Sequence, residues 1–299
     1  MTVRVFLRGG LGNQLFQYAG ALYLSQKQNE DLEIRHDLLP SARDSILGVT
    51  RFPVQLDRFR FKGTLTCKVS QPAGKTHIFS KILQLQRVLA DRVPKLFLRL
   101  GVLAGENSKP PDFLAIKSIR TINAYCTSSI PALMLGENLR KQIRDVVNPS
   151  PMFLDLSTQA SVSGPIAVHI RLGDYMGLPH LYGDTDYDSI SKEILRVKKS
   201  NFAPVWLFTD SPSDLTLGIE ESLGISKVIG PDTIENPVEN LVLMAAGSHL
   251  IAANSTFSWW AAFLKGEGRH VSFPKTSGSG HNIFSPGMTL KGWSSYGGE

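Results

Sequence analysis

Cysteine is scarce in this sequence. Among 299 residues only Cys67 and Cys126 occur, and they form neither a CxxC motif nor a cluster with histidines. Disulfide frameworks and structural zinc sites need more cysteines at closer spacing. The composition therefore argues against both and fits a reducing cytoplasm.

Long apolar segments are also missing. The N-terminus, MTVRVFLRGG, lacks the apolar core of a signal peptide. The longest uncharged stretch, 241–264, contains too many polar residues for a helix in lipid and is instead expected to form helix, strand, loop and helix in a folded core. We expect a cytoplasmic protein, with peripheral attachment to the inner face of the plasma membrane left open.

Strong charge clusters and phosphate-loop motifs are absent. The chain has 32 basic and 26 acidic residues, a net charge of +6, and no run of basic residues longer than two, so a nucleic-acid groove is poorly supported. There is no GxxxxGK[ST] loop, and Leu15 stands where a dinucleotide-binding GxGxxG motif has its third glycine. What remains near residue 10 is a tight turn that presents Asn13 and Gln14 at a helix start.

The apolar pattern that is present predicts an α/β protein. Val3, Val5 and Leu7 alternate with polar residues as in a strand, and a helical pattern follows the turn. Beyond residue 165, strands alternate with helical patterns, which implies a parallel sheet with right-handed crossovers. The predicted strands lie near 166–171, 205–209, 227–229, 249–253 and 270–273.

The region 40–150 is less regular. An amphipathic helix is predicted around Ile78, Ile82, Leu85 and Leu89, with a disturbance at Pro94. Another is predicted from about Pro131 to Val147, followed by a linker at 148–151. We therefore expect domains at 1–150 and 151–275, with 276–299 a segment that crosses back to the first domain.

Polar residues follow three of the predicted strands, at the edge where open α/β sheets bind ligands. The first cluster is HIRLGDY, in which strand alternation puts His169 and Arg171 on one face. Arginine suits two phosphate oxygens, since its guanidinium binds them in parallel. Asp174 could orient Arg171 or bind a sugar, although a structural ion pair between the two is as plausible.

The other clusters are FTDSP and NSTFSWW. Asp210 could accept hydrogen bonds from a base or a ribose, although taken alone it is better explained as a helix cap. The second string starts an apolar helix with hydroxyls, and backbone N–H groups at such a start can bind phosphate. Phe257 could flank a base or sugar, whereas Trp259 and Trp260 are expected to pack and Ser258 to cap.

Taken together, four strings resemble the α-1,2-fucosyltransferases of bacterial lipopolysaccharide and O-antigen synthesis and of animal blood groups. They are GGLGNQLFQYA, HIRLGDY, FTDSP and IAANSTFSWWAA, in matching order between residue 5 and about 264. The resemblance implies a GT-B fold, with two Rossmann-like domains facing each other across a cleft. It also implies an inverting hexosyltransferase that needs no metal or cofactor and moves L-fucose from GDP-fucose to a sugar hydroxyl, with the 2-OH of a galactoside as the expected acceptor.

The resemblance also implies roles for individual residues. Arg171 would clamp the diphosphate beside His169, Asp210 would contact guanosine, and Asn13 would touch the fucose or the leaving oxygen. The predicted catalytic residues are Arg171, Asp174 and Asn13. Other donor-binding residues are predicted at Gly12, Gln14, His169, Asp210, Ser211, Asn254, Ser255, Thr256 and Phe257.

Several points stay open at this stage. The family's second motif arginine is replaced by Leu172, whose side chain should point away from Arg171; this leaves the acceptor class undecided. Asp174 is the first choice of general base, with Asp37, Glu235 and Glu239 as alternatives.

No metal site is expected, because Asp184-Thr185-Asp186 has DxD spacing but lies at a predicted helix start. The expected partners are GDP-fucose and an oligosaccharide or lipid-linked glycan, and no nucleic acid. The rival functions are a dinucleotide-dependent oxidoreductase and a non-catalytic glycan-binding protein.

Overall fold

A computed structural model describes most of the chain as two units. The described residues are 2–35, 67–70, 76–105, 112–114, 116, 118–172, 185–215, 218–268, 270–275 and 282–297. The units are Met1–Asp145 and Val146–Glu299, so their boundary lies close to the predicted one at residue 150. Each unit contains one parallel sheet, which confirms the predicted α/β class.

The first unit has a five-stranded sheet in the order β3-β2-β1-β5-β4, and all of its strand pairs are parallel. Its strands are β1 (Thr2–Phe6), β2 (Asp31–Arg35), β3 (Cys67–Ser70), β4 (Val102–Ala104) and β5 (Thr121–Asn123). Its helices are α1 (Leu11–Gln28), α2 (Thr76–Arg92), α3 (Pro94–Arg99) and α4 (Ser129–Arg144). The predicted strand–turn–helix start is confirmed, because Val3 and Val5 are buried in β1 and α1 follows the glycine turn.

The two helices predicted in the irregular region are both present. Helix α2 ends at Arg92 and α3 starts at Pro94, because proline fits a helix's first turn but not its interior. Helix α4 has Ser128 as its N-cap and is interrupted at Gly136, whose φ of 53° is non-helical. Ile82 of α2 is exposed, which is unusual for a large aliphatic side chain in a helix of a globular protein.

The second unit has a six-stranded parallel sheet in the order β11-β10-β9-β6-β7-β8. Its strands are β6 (Ile166–Ile170), β7 (Val205–Thr209), β8 (Ile225–Ile229), β9 (His249–Ile251), β10 (Val271–Pro274) and β11 (Ser294–Tyr296). Its helices are α5 (Pro151–Ser163), α6 (Tyr187–Lys198), α7 (Ile219–Ser222), α8 (Pro237–Ala246) and α9 (Thr256–Lys265), with a 3₁₀ turn at Pro212–Asp214. Starting at β6, the chain first builds outward through β7 and β8 and then adds β9 on the other side, which is the strand order of Rossmann folds.

The core of this unit follows from its continuous apolar strands. Every residue of β6 and β7 is buried, as expected for parallel strands covered on both faces. The uncharged stretch 241–264 forms the end of α8, β9 and most of α9, as predicted, and both tryptophans of α9 are fully buried. Within the described ranges no helix is long and apolar enough to cross a bilayer.

The prediction that the C-terminal segment crosses back to the first domain is wrong for residues 282–297. Strand β11 pairs with β10 at the edge of the second sheet. Hydrogen bonds that attach the segment to the same unit include Ile283 N to Asn254 Oδ1, Trp259 Nε1 to the Met288 carbonyl, and Tyr296 Oη to the Ala252 carbonyl. The edge of β10 thus gains a strand from this segment.

Candidate functional site

The strand order of the second sheet reverses between β6 and β9: β7 and β8 lie on one side of β6, and β9 to β11 lie on the other. The two strands are parallel neighbours, with Val168 opposite Ile251. The segments that follow them therefore leave the same edge of the sheet, about 5 Å apart. Such a switch point is where open α/β sheets bind ligands, and both the Arg171 and the Asn254 clusters lie there.

Arg171 directly follows β6 and is held in place by Asp210, at the end of the neighbouring strand β7. The Arg171 Nη1 atom lies 3.2 Å from Asp210 Oδ2, and Asp210 Oδ1 accepts a hydrogen bond of 2.9 Å from the Leu172 amide. One carboxylate thus fixes both the guanidinium and the backbone next to it. Ser211 occupies the N-cap position of the 3₁₀ turn that follows, and its hydroxyl donates to the Asp214 carboxylate, so Asp210 is not a cap here.

His169 is buried and connects β6 with the start of α9. Its Nδ1 lies 2.5 Å from Ser258 Oγ, which also accepts a hydrogen bond of 3.0 Å from the Ala253 amide. A hydroxyl that accepts one bond can still donate its own proton, and donation from Ser258 to Nδ1 would satisfy both groups and leave the imidazole proton on Nε2. Burial, aided by the positive charge of Arg171, lowers the His169 pKa to about 3, so the ring is neutral at physiological pH.

The start of α9 has the features of an anion-binding helix end. Ser255 is the N-cap, and its Oγ accepts a hydrogen bond of 3.2 Å from the Phe257 amide. The Phe257 ring lies 5.6 Å from the His169 ring, while Asn254 Oδ1 accepts a bond from the Ile283 amide. Thr256, the first helical residue, is half-buried. The first N–H groups of a helix carry partial positive charge, so this end favours an anion at the switch point.

Leu172 belongs to the hydrophobic core rather than to the polar edge. Its side chain is 2% exposed and forms one cluster with Ile166, Val168 and Ile170, which alternate along β6 on the same face. As expected, the residue that replaces the second motif arginine therefore lies on the face opposite Arg171.

The predicted residues of the first unit surround the turn after β1. Gln14 is buried and its Nε2 donates to the Gly9 carbonyl at 2.8 Å, while Gly12 is buried and Asn13 half-buried in the first turn of α1. Gly9 has a φ of 75°, in the left-handed region that favours glycine, and a Cβ there would lie 2.8 Å from Asn13 Nδ2. The roles of Gly12, Asn13 and Gln14 in donor binding stay predictions.

Two residues outside the predicted set have clear positioning roles. Gln17 accepts from the Arg8 amide and donates to the Arg8 carbonyl, so its side chain holds the turn after β1. Ser258, taken from the sequence as a cap, instead bonds His169. Ser255 and Ser258 both lie in the NSTFSWW string. Only the contact of Ser258 with His169, between α9 and β6, distinguishes its role from that of the N-cap Ser255.

The candidate general bases have different surroundings. Asp174 and Asp37 lie outside the described residues. Glu235 is exposed, whereas Glu239 is buried and accepts hydrogen bonds from the amide and hydroxyl of Ser150, at 2.8 and 2.6 Å. The structure therefore gives Glu239 a part in holding the start of α5.

The DxD-like string is a helix start, as the sequence suggested. Asp184 lies outside the described residues, and Asp186 is the N-cap of α6, accepting from the Ser189 amide at 2.9 Å. Hydrogen bonds from Ser189 lower the Asp186 pKa. In the part of the chain that the structure covers, no three His, Cys, Asp or Glu residues are grouped as metal ligands would be.

The sequence model of glycosyl transferase family 11 matches residues 124–293, more than half of the chain. The chain belongs to glycosyl transferase family 11. This family 11 protein is 26% identical to the O-antigen biosynthesis glycosyltransferase WbnK of Escherichia coli, over 96% of this chain and 98% of WbnK. It is also 26% identical to an alpha-1,2-colitosyltransferase of Escherichia coli, over 87% of this chain and 86% of that protein.

The fold also has solved counterparts. The family 11 protein superposes on NodZ alpha-1,6-fucosyltransferase soaked with GDP-fucose with a TM-score of 0.50, at 18% identity, over 88% of this chain and 92% of NodZ. This likeness supports the predicted GT-B-type fold of two parallel α/β units. The family assignment confirms the resemblance to the α-1,2-fucosyltransferases and the prediction of a glycosyltransferase, over the oxidoreductase and the glycan-binding protein.

Proposed function

We propose that this family 11 enzyme transfers L-fucose from GDP-fucose to the 2-OH of a galactoside in a bacterial surface glycan, with inversion and without a metal ion. Two relatives support the acceptor class and the linkage. One is named for O-antigen biosynthesis and the other for an alpha-1,2 linkage, and both match over most of their length.

One observation carries the proposal: a guanidinium and a helix N-terminus occupy the switch point of the second sheet. Arg171 is fixed there by Asp210, and the start of α9 follows the adjacent strand β9. Positive groups already held in place stabilise charge that develops in a transition state without further reorganisation. A nucleoside diphosphate leaving group develops negative charge of this kind.

The reaction that fits this arrangement is one displacement at the anomeric carbon. The bond from that carbon to the β-phosphate oxygen breaks, and GDP leaves with the electron pair. The acceptor oxygen bonds to the opposite face, so a β-linked donor gives an α-linked product. The acceptor proton passes to a carboxylate general base, for which Asp174 is our candidate.

His169 would contribute a neutral hydrogen-bond donor. Its Nδ1 contacts Ser258 Oγ, and donation from that hydroxyl would leave the N–H on Nε2. With the pKa lowered to about 3, the ring adds no positive charge of its own. We propose that this N–H binds an acceptor atom of the nucleotide and that Phe257 packs beside it.

The test is release of GDP from GDP-fucose with a panel of free and lipid-linked galactosides. We expect Arg171→Ala to lower kcat/KM by about 100- to 1000-fold, the usual loss for one donor to a developing oxyanion. Arg144→Ala is the matched control, because Arg144 is a surface arginine paired with Glu137. Wild-type turnover in Arg171→Ala would refute the assigned role.

The same assay tests the metal and the donor sugar. Activity should persist in EDTA; loss that manganese restores would contradict a metal-independent reaction. GDP-colitose is the second donor to compare, since one relative is named a colitosyltransferase and colitose differs from fucose only in lacking the 3-hydroxyl. A higher kcat/KM with GDP-colitose than with GDP-fucose would show that colitose is the preferred donor sugar. The proposed transfer mechanism would be unchanged.

A further inference from the structure

Helix α2 of the first unit exposes four large aliphatic residues. Ile82 is 56% exposed, Leu85 58%, Val88 42% and Leu89 42%. Amphipathic helices of globular proteins usually turn such a stripe toward the core. In α2 the stripe faces away from it.

The orientation of α2 is fixed by polar contacts on its other face. At 100° per residue, the exposed stripe covers an arc of roughly 120°. The opposite face contains Leu83, Gln86 and Arg87, and there Asn123 Nδ2 donates to the Leu83 carbonyl and to Gln86 Oε1, each at 2.9 Å. Arg87 Nη1 donates to Asn123 Oδ1 at 3.3 Å. Rotating the helix to bury the exposed stripe would break these hydrogen bonds.

The exposed stripe continues beyond α2. Leu96 in α3 is 53% exposed and Leu100 directly after it is 67% exposed. We call this surface the α2–α3 face, defined by Ile82, Leu85, Val88, Leu89, Leu96 and Leu100. Elsewhere in the described part of the chain, large exposed apolar residues occur singly or in pairs, such as Leu133 with Met134, Met152 with Leu154, and Phe202.

Basic side chains accompany the α2–α3 face. Lys81, Arg92, Lys95 and Arg99 are all exposed, while Asp91 is the one acid between residues 81 and 100. Lys81 and Arg92 fall within the same arc of α2 as the leucines. A partner that covers this face must therefore accept aliphatic side chains and positive charge together.

We propose that the α2–α3 face docks on an anionic lipid bilayer. Aliphatic side chains can enter the boundary between headgroups and acyl chains, while lysine and arginine keep their charged ends among anionic headgroups. A second copy of the chain fits less well, because pairing two such faces would bring eight positive charges together. Nucleic acid would satisfy the charges but leave the leucines without an apolar environment.

The proposal is tested with the full-length protein and vesicles, without any substrate. The wild type should float with vesicles of phosphatidylglycerol and phosphatidylcholine at least tenfold better than with phosphatidylcholine alone, and 0.5 M NaCl should weaken the binding. Lys95→Gln/Arg99→Gln should bind about thirtyfold more weakly, since each basic residue near such a surface contributes about fivefold. Leu85→Ser/Leu89→Ser should lose at least tenfold.

Matched controls come from exposed positions of the second unit. Val162→Ser/Leu195→Ser and Lys192→Gln/Lys199→Gln should bind vesicles like the wild type. Since all of the substituted residues are exposed, every variant should keep its melting temperature and its release of GDP. Lipid binding is measured without turnover, so its failure leaves the proposed function untouched.

Three outcomes would overturn the proposal. The wild type could fail to distinguish anionic from neutral vesicles, or both α2–α3 variants could bind as well as the controls. Alternatively, the wild type could form dimers, the Leu85→Ser/Leu89→Ser variant could be monomeric, and neither protein could bind vesicles. That result would make the α2–α3 face an interface between two copies of the chain.

Discussion

Replacement of Ser258 by alanine tests the reasoning about the site most directly. Ser258 is fully buried, and its hydroxyl contacts both the Ala253 amide and His169 Nδ1. Ser258→Ala leaves those two polar groups without this partner, at about 1–3 kcal/mol for each buried group. We expect the free energy of unfolding to fall by about 2–6 kcal/mol, measured by urea denaturation.

The same variant should change the chemistry of His169. Without a hydroxyl donating to Nδ1, nothing in this contact holds the proton on Nε2, and the ring becomes a mixture of tautomers. Imidazole ¹⁵N chemical shifts report the tautomer, and we expect the Nε2–H form in the wild type and a mixture in Ser258→Ala. The KM for the nucleotide sugar should rise as the donor N–H is lost.

Ser226→Ala is a control for the loss of a serine hydroxyl at an exposed position. Ser226 Oγ makes one hydrogen bond, of 2.9 Å to the Val205 carbonyl, so its loss should cost about 1 kcal/mol and leave the KM unchanged. A wild-type ring protonated on Nδ1, or a Ser258→Ala variant as stable as Ser226→Ala, would refute the assigned arrangement.

Three further predictions follow from the same unit. Leu172→Arg, which restores the motif arginine, should lower the free energy of unfolding by about 3–5 kcal/mol, because a charge enters the apolar cluster on the far side of β6. Asp210→Asn should lower kcat/KM about tenfold to a hundredfold, since the amide can still accept the backbone bond but no longer holds the charge of Arg171. Burial lowers the pKa of His169 to about 3 and of His249 to about 4, so the unfolded state takes up these protons first as the pH falls below about 6.5. Stability should be complete above that pH and about 2 kcal/mol lower per histidine at pH 5.

Controls for these predictions use the same positions. Leu172→Met should cost less than about 1.5 kcal/mol, and an equal loss in both Leu172 variants would contradict the charge argument. For Asp210→Asn, wild-type kcat/KM in the GDP-release assay would rule out the positioning role. His249→Gln should remove about half of the loss of stability between pH 7.5 and 5, followed by urea denaturation; an unchanged pH dependence would show that other groups are responsible.

Regular parts of the fold were predictable because local patterns encode them. The alternating apolar residues of β1 and the continuous apolar segments of β6 and β7 placed these strands within one or two residues. Pro94 and the glycines after β1 marked breaks that the backbone itself requires. The position of Arg171 at a strand end was also local information.

Contacts between distant residues were not predictable in this way. Asp210 lies 38 residues from the Leu172 amide that it binds, and Ser258 lies 89 residues from His169. Neither pairing leaves a periodic signal. Helix α2 was predicted correctly as an amphipathic helix. Its apolar stripe is exposed because Asn123 binds the opposite face, and no local pattern shows that contact.

By itself the sequence determined the α/β class, the positions of most strands and helices, and the four strings that mark the family, since each depends on residues close together in the chain. Only the tertiary structure decided that Asp210 holds Arg171, that Ser258 contacts His169, and that the final strand extends the second sheet. These follow from which strands become neighbours, because parallel pairing brings the ends of remote segments to one edge. Side chains there acquire partners that no local pattern specifies.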